Sequence, residues 1–296
     1  MTRDRSVVVA VDGSAAATAA VEWAAATAEA RGLDLRLAAS YTMPQFLYAE
    51  GMVPPQELFD ELLAETMETI HAAEERARAV APSIKVGHTV AEGSPIDMLL
   101  ELSKDATMIA MGSRGLGGLS GMVLGSVSAA VVSHAACPVV VIREDHAQAS
   151  GPIVVGVDGS EVSDQAVAFA FAEAAARNVP LRAVHTWMDM QVQASLAGLS
   201  AAQEEWDTVE AEQQQLLAER LAGHQADYPD VVVEKIITRD RPVRALVDAA
   251  QGAQLLVVGS HGRGGFRGML LGSTSRALLQ SAPCPLVVVR PTAKEK

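Results

Sequence analysis

The sequence predicts an α/β protein of two tandem domains, each an open, parallel, five-stranded sheet with helices on both faces. Two observations carry that prediction. Short, often β-branched apolar runs alternate with helical patterns, and strands that alternate with helices are joined as parallel neighbours through crossovers. The whole alternation also occurs twice. Val7-Val8-Val9-Ala10-Val11-Asp12-Gly13-Ser14 returns as Ile153-Val154-Val155-Gly156-Val157-Asp158-Gly159-Ser160, an offset of 146 residues. Met111-Gly112-Ser113-Arg114-Gly115 returns as Val258-Gly259-Ser260-His261-Gly262, and Cys137-Pro138-Val139-Val140-Val141 as Cys284-Pro285-Leu286-Val287-Val288, both offset by 147. A period that long makes each copy a whole domain rather than a solenoid turn. Domain 1 is expected over 1–146 and domain 2 over 147–296, within the 296-residue chain.

The elements follow in order. Apolar runs at 7–11, 34–40, 84–91, 107–111 and 138–142 read as strands. Residues 15–31 form an Ala-rich helix, and 58–80 a long acidic one in which Leu58, Leu62, Met67, Ile70 and Ala77 share a stripe. A shorter helix starts at Pro95 behind Ser94, and a fourth follows Ser126. Glu144 to Pro152 reads as the linker. The second copy repeats the pattern, its long helix opening on the capping box Ser200-Ala201-Ala202-Gln203.

Composition narrows the function. Apolar residues are 49% and aromatics 4% of the chain, which suits Val- and Leu-rich parallel strands covered by Ala-rich helices. A net charge of -13 with no basic stripe opposes binding to nucleic acid or to an anionic membrane surface. The stretch between Arg114 and Arg143 lacks charge but is broken by Gly125, Ser126, Ser128, Ser133, His134 and Pro138. Its counterpart carries Arg263, Arg267 and Arg276, so no membrane span is expected. With two cysteines and no secretory signal, the cytoplasm is the expected compartment.

In an open parallel sheet, ligands bind beyond the carboxyl ends of the strands where the winding reverses. With strands two and three on one side of strand one and strands four and five on the other, that crevice lies between strands one and four. Asp12 and Gly112 then face it in copy one, and Asp158 and Gly259 in copy two. The glycine spacing sharpens this: Gly112-x2-Gly115-x9-Gly125-Ser126 matches Gly259-x2-Gly262-x9-Gly272-Ser273. Further glycines lie between, at Gly117, Gly118 and Gly121, then Gly264, Gly265 and Gly268. Glycine lets successive backbone N–H groups line an anion site, and the helix starting at Ser126 or Ser273 adds its dipole, free N–H groups and a hydroxyl. Either Gly112→Ala or Gly259→Ala is therefore expected to weaken an anion site and leave the fold intact. Neither GxxxxGK[ST], a kinase loop set, nor a GxGxxG at the first strand-to-helix turn occurs.

Strand-end Val11-Asp12-Gly13-Ser14, the G-x2-G-x9-G-S spacing and the closing Cys-Pro-Val-Val-Val strand together resemble the universal stress protein family, in its tandem actinobacterial form. That resemblance implies a Rossmann-like, adenine-nucleotide alpha-hydrolase-like sheet of order 3-2-1-4-5. It also implies one ATP per copy, with Mg or Mn carried on the phosphates, serving a regulatory role in stress adaptation or dormancy. The alternative is a slow ATPase or nucleotidyl-transfer enzyme; no catalytic or metal-ligating residue is assigned. Carried over, Gly112, Ser113, Gly115, Gly125 and Ser126 meet phosphates and ribose, as do Gly259, Ser260, Gly262, Gly272 and Ser273. Asp12 and Asp158, with Gly13 and Gly159, match the acid-bearing turn beside the nucleotide, and backbone near Ser40 and Thr186 borders adenine. Contact through the last strands, 139–142 and 286–289, is implied, between the two copies as an internal pseudo-dimer and then in a homodimer, with a regulatory protein as a further partner.

Each assignment has a plainer counterpart. Asp-Gly-Ser is ordinary turn chemistry in which Asp caps the next helix. Ser113 and Ser260 either donate to phosphate or close the strand, and Ser40 and Thr186 also read as plain strand ends. Arg114 and His261 read as solvent-facing loop residues, and the two cysteines as small packed groups. Asp240 stands where copy one has Gly93, so it threatens to repel a phosphate, while Arg263 and Arg267 add charge that would make site two the more salt-sensitive.

Overall fold

A computed structural model describes residues 5–43, 55–116, 124–146, 150–187, 203–262 and 270–291, with the side chains of 203–209 left undescribed. The chain divides into two compact units, the first ending at Asp145 and the second spanning His146–Pro291.

The first unit runs β1 (Ser6–Ala10), α1 (Ala15–Arg31), β2 (Asp34–Tyr41), α2 (Gln56–Val80), β3 (Val86–Glu92), α3 (Pro95–Leu102), β4 (Met108–Gly112), α4 (Ser126–His134) and β5 (Val139–Ile142). Its strands are all parallel in the order β3-β2-β1-β4-β5. The second unit runs β6 (Ile153–Gly156), α5 (Glu161–Arg177), β7 (Leu181–Thr186), α6 (Gln203–Asp227), β8 (Val233–Thr238), α7 (Pro242–Ala249), β9 (Leu255–Gly259), α8 (Ser273–Ser281) and β10 (Leu286–Val289). Its order, β8-β7-β6-β9-β10, repeats the first, again all parallel. Each unit is thus the doubly wound α/β sheet that the alternating pattern predicts, with the winding reversing at β1/β4 and β6/β9. Among the described residues no helix is long and apolar enough to cross a membrane. Ser200 of the expected capping box lies outside the described residues, and α6 is described from Gln203.

Local chemistry explains the helix ends. Ser14 caps α1 by accepting from the Ala17 N–H, Ser94 caps α3 from the Asp97 N–H, and Ser160 caps α5 from the Ser163 N–H. Helices α1 and α5 close in the left-handed region, at Gly32 and at Asn178, the two residue types that enter it most cheaply. The buried face of α1 is almost entirely alanine, with Val21 and Thr27, which lets it lie close on β1 and β4.

Both cysteines are buried, Cys137 just before β5 and Cys284 just before β10. Burial pushes the Cys284 thiol from 9.0 up to about 12, so it packs as a small apolar group. A raised acid favours the native state only while it stays protonated. Its contribution is complete below pH 9.0 and is lost as pH climbs towards about 12, where the unfolded thiol has ionised first. Native protein at pH 8 is expected to resist Ellman's reagent, with both thiols reacting only in denaturant. Rapid labelling without denaturant would contradict this packing.

Candidate functional site

The site begins where β1 stops. Asp12 stands two residues beyond β1, and the chain turns through Gly13 at φ +81°, a conformation open to glycine at little cost. One oxygen of the Asp12 carboxylate accepts from the Ser14 N–H (3.0 Å) and hydroxyl (2.6 Å), which fixes the turn and orients Ser14 as the cap of α1. The other accepts from the Leu116 N–H at 3.2 Å, in the loop after β4. Asp12 therefore makes the turn, leaving the cap of α1 to Ser14, and ties that turn across the winding reversal to the loop after β4. Asp158 rebuilds the turn in the second unit, accepting from the Ser160 N–H (2.9 Å) and hydroxyl (2.7 Å), with Gly159 at φ +77°.

The opposite wall starts at the end of β4. The Gly125 N–H donates to the Ser113 carbonyl at 2.8 Å, closing the base of the loop between them. The Ser113 N–H donates to the Ile142 carbonyl at 2.7 Å, so that base is anchored on β5. In the second unit the Gly272 N–H donates to the Ser260 carbonyl, and the Ser260 N–H to that of Val289, both at 2.7 Å. Helix α4 then starts from Gly125 and α8 from Gly272, and neither has a side-chain cap. The serine-capped helices α1, α3 and α5 satisfy a first-turn N–H internally; α4 and α8, like α2 and α7, make no such bond.

The three spaced glycines of each copy differ in what they do. A Cβ on Gly115 would overlap the Asp12 carboxylate, and one on Gly262 that of Asp158, so these glycines are required by the acid beside them. Gly112 is buried, and a Cβ there would stand 2.9 Å from the Ala16 carbonyl carbon and 3.0 Å from the Ala17 nitrogen. It is a glycine because α1 presses on β4, which corrects the expectation that Gly112→Ala leaves the fold untouched. Gly259 is tight in a milder way, 3.1 Å from Val162 Cγ1 and 3.2 Å from the His261 carbonyl. Gly125 and Gly272 have room, with the nearest atoms at 3.5 and 3.4 Å.

Ser126 and Ser273 are exposed at the first position of their helices. The Ser113 and Ser260 side chains are buried, 3% and 0% exposed, so their main-chain groups rather than their hydroxyls border the loop. Ser40, half-buried next to the end of β2, and Thr186, at the end of β7, flank the turns on the side away from the glycine loop. Arg114 is exposed, as expected of a loop residue, but His261 is half-buried with Nδ1 2.9 Å from the Ser260 hydroxyl. Asp240 accepts from the Arg241 N–H at 2.6 Å and pairs with Arg244 at 3.6 Å, so its charge is answered by α7. Gly117, Gly118, Gly121, Arg263, Gly264, Gly265, Arg267 and Gly268 lie outside the described residues.

Two supports went unnoticed in the sequence. Ser128 donates to the Gly112 carbonyl at 2.8 Å and Ser275 to that of Ser260 at 3.0 Å, pinning each loop helix to its strand. The repeated G-S-x-S of Gly125-Ser126-Val127-Ser128 and Gly272-Ser273-Thr274-Ser275 was the available signal. His185, 5% exposed, donates from Nδ1 to the Val157 carbonyl at 2.7 Å, and its Nε2 lies 3.0 Å from Gln213 on α6. Ala39 holds that place in the first copy, so no repeat marks it.

The acid-bearing turn and the closed base of the glycine loop both occur twice, once in each unit. The model of the Universal stress protein family matches residues 5–143 and again 150–290. The chain belongs to the universal stress protein family. Among its relatives, universal stress protein Rv2005c of Mycobacterium tuberculosis strain H37Rv is 41% identical over 297 residues, covering 97% of this chain and 98% of its own. Universal stress protein Rv1996 of the same strain is 40% identical over 301 residues, covering 96% and 94%. The crystal structure of a universal stress protein from Archaeoglobus fulgidus DSM 4304 superposes with a TM-score of 0.72 at 20% identity, covering 97% of this chain and 99% of that one, which speaks for the fold alone. This universal stress protein is therefore a tandem member whose two copies each build the same turn and loop base.

Proposed function

We propose that each unit of this universal stress protein binds one ATP in the crevice between its turn acid and its glycine loop, and that the bound nucleotide serves a regulatory role in stress adaptation or dormancy. The supporting observation is the uncapped first turn of α4 and of α8, held over a loop base closed by Gly125 and Gly272. Main-chain N–H groups left free at a helix start suit a triphosphate, whose oxygens accept only. Asp12 and Asp158 are acceptors and would repel phosphate, so they suit the ribose hydroxyls instead. Gly115, Ser126, Gly262 and Ser273 then border the phosphates, and the main chain at Ser40 and Thr186 the base. A divalent metal, Mg or Mn, rides on the phosphates in this reading. A homodimer through the last strands and a cytoplasmic setting complete the proposal.

The experiment is to denature the purified protein and identify the released small molecule by mass. ATP approaching two per chain is the expected result. A chain that emerges without nucleotide and gives no heat when titrated with ATP would overturn the reading. Many rounds of hydrolysis per chain would replace a regulatory binder with an enzyme.

A further inference from the structure

Helices α1 and α2 do not close on each other along their whole contact. Between them, beside the Gly13 turn, lies a cleft of about 320 Å³. Its floor is Val11, Ala17, Val21 and Ala73, all buried, and its rim carries Thr18, Glu68, Thr69 and Arg76. The crossovers from β1 to β3 and from β3 to β5 run in opposite directions along the sheet, so right-handed winding puts α1 and α2 on one face and α3 and α4 on the other. The cleft therefore lies behind the turn, on the face opposite the helix that the glycine loop leads into.

The second unit fills the corresponding place with larger side chains. With buried Ile70 matched to buried Leu217, Thr69 corresponds to Leu216 and Ala73 to Arg220, while Thr18 corresponds to Asp164. Arg220 donates to Asp164 at 2.9 Å, joining the two helices where the first unit has an alanine and a threonine. Glu68 corresponds to Gln215, whose amide donates to Glu219 at 2.9 Å. The open cleft is thus particular to the first copy and follows from Thr18, Glu68, Thr69 and Ala73.

The chemistry of the rim selects the occupant. Thr18 donates its hydroxyl to the Ser14 carbonyl and Thr69 to that of Glu65, both at 3.1 Å, so each has only lone pairs left to offer. Arg76 is paired with Glu22 on α1. Glu68 makes no ion pair or hydrogen bond among the described residues. What remains is an acceptor-only rim with an unpaired carboxylate over an apolar floor, in a chain of net charge -13. That combination takes a cationic donor on an aliphatic body and disfavours carboxylates and phosphates.

We infer that the first unit carries a second ligand site, in which a small alkylammonium lays its chain on Ala17, Val21 and Ala73 and bonds its ammonium to Glu68. Glu68 and Arg76 stand about 12 Å apart along α2, which accommodates a chain of about six carbons. The inference does not rest on the ATP reading, because the cleft and the glycine loop lie on opposite faces of the sheet.

The probe is hexylammonium, titrated into the full chain with its alanine methyl groups labelled and followed by NMR. Saturable shifts of the Ala17, Ala72 and Ala73 methyls are expected. Hexanol, with the same chain and no charge, should bind about threefold more weakly, the worth of one exposed ion pair, and hexanoate more weakly still. Glu68→Gln, which copies Gln215, should weaken hexylammonium by the same factor of about three without lowering the melting temperature. Thr69→Leu, which copies Leu216, should fill the cleft and abolish the shifts. Glu57→Gln, about 16 Å away along the same helix, should change nothing. The inference is overturned if the cleft methyls do not shift, if hexanol binds as tightly as hexylammonium, if Glu68→Gln matters no more than Glu57→Gln, or if Thr69→Leu leaves the shifts intact.

Discussion

Gly112→Ala is expected to destabilise the chain by about 1–3 kcal/mol, the usual cost of forcing a methyl into a filled core. The added Cβ meets main chain rather than a flexible side chain: Ala16 C and Cβ at 2.9 Å and Ala17 N at 3.0 Å. Relief requires the whole first turn of α1 to move off β4, and that turn is locked by the Ser14 cap and the Asp12 carboxylate. Gly125→Ala should behave in the opposite way. Its Cβ rests at ordinary distances, 3.5 Å from the Ser113 carbonyl and 3.6 Å from Arg114 Cα, so stability should change by less than about 1 kcal/mol. The same methyl stands 3.9 Å from the Gly115 nitrogen, inside the space proposed for phosphate, and nucleotide affinity at the first site should fall at least ~10-fold, or about 1.4 kcal/mol. Chemical denaturation and calorimetric titration of both variants test the contrast. If Gly112→Ala unfolds at the wild-type midpoint, the close approach of α1 to β4 is not what selects glycine. If Gly125→Ala binds ATP with wild-type affinity, no phosphate sits over Gly115.

The second large effect is expected at the turn acid. Asp12→Asn keeps one oxygen for Ser14 but turns an amide donor towards the Leu116 N–H, so the bond joining the turn to the loop is lost and two donors face each other. Loss of that tie should cost about 1 kcal/mol of stability. The larger consequence is for binding, because the turn acid is also the proposed acceptor for ribose hydroxyls. With Asp158 intact in the second unit, the chain carries its own reference site. Titration of Asp12→Asn with ATP should therefore show about one site per chain in the concentration range where the wild type fills two, and Asp12→Asn with Asp158→Asn should show none. Two undiminished sites in the single variant would remove Asp12 from the ligand and leave it as turn chemistry alone.

Much of this protein was legible before folding. Parallel strands with crossover helices follow from alternating apolar and helical patterns, because a half-polar edge strand and a fully buried one have different periodicities. The duplication follows from two blocks whose offsets differ by one residue. Helix α1 begins and ends where Ser14 and Gly32 place it, since caps are local chemistry. The crevice is also a property of winding order, so Asp12 and the glycine loop could be assigned to it from sequence.

Other features depended on neighbours distant in the chain. Three glycines at one spacing look equivalent, yet Gly112 answers to a helix pressed on its strand, Gly115 to a carboxylate and Gly125 to a helix start; only packing distances distinguish them. Asp240 looked like a threat to phosphate until Arg241 and Arg244 were seen to hold it. His185 carried no signal, because its partners, Val157 and Gln213, each lie 28 residues away and are brought to it by the sheet and by α6. Periodicity and capping are read within a few residues, so sequence alone determined the elements, their order and the repeat. Which atoms press on which is decided between elements, so tertiary structure alone determined why each site residue is the residue it is.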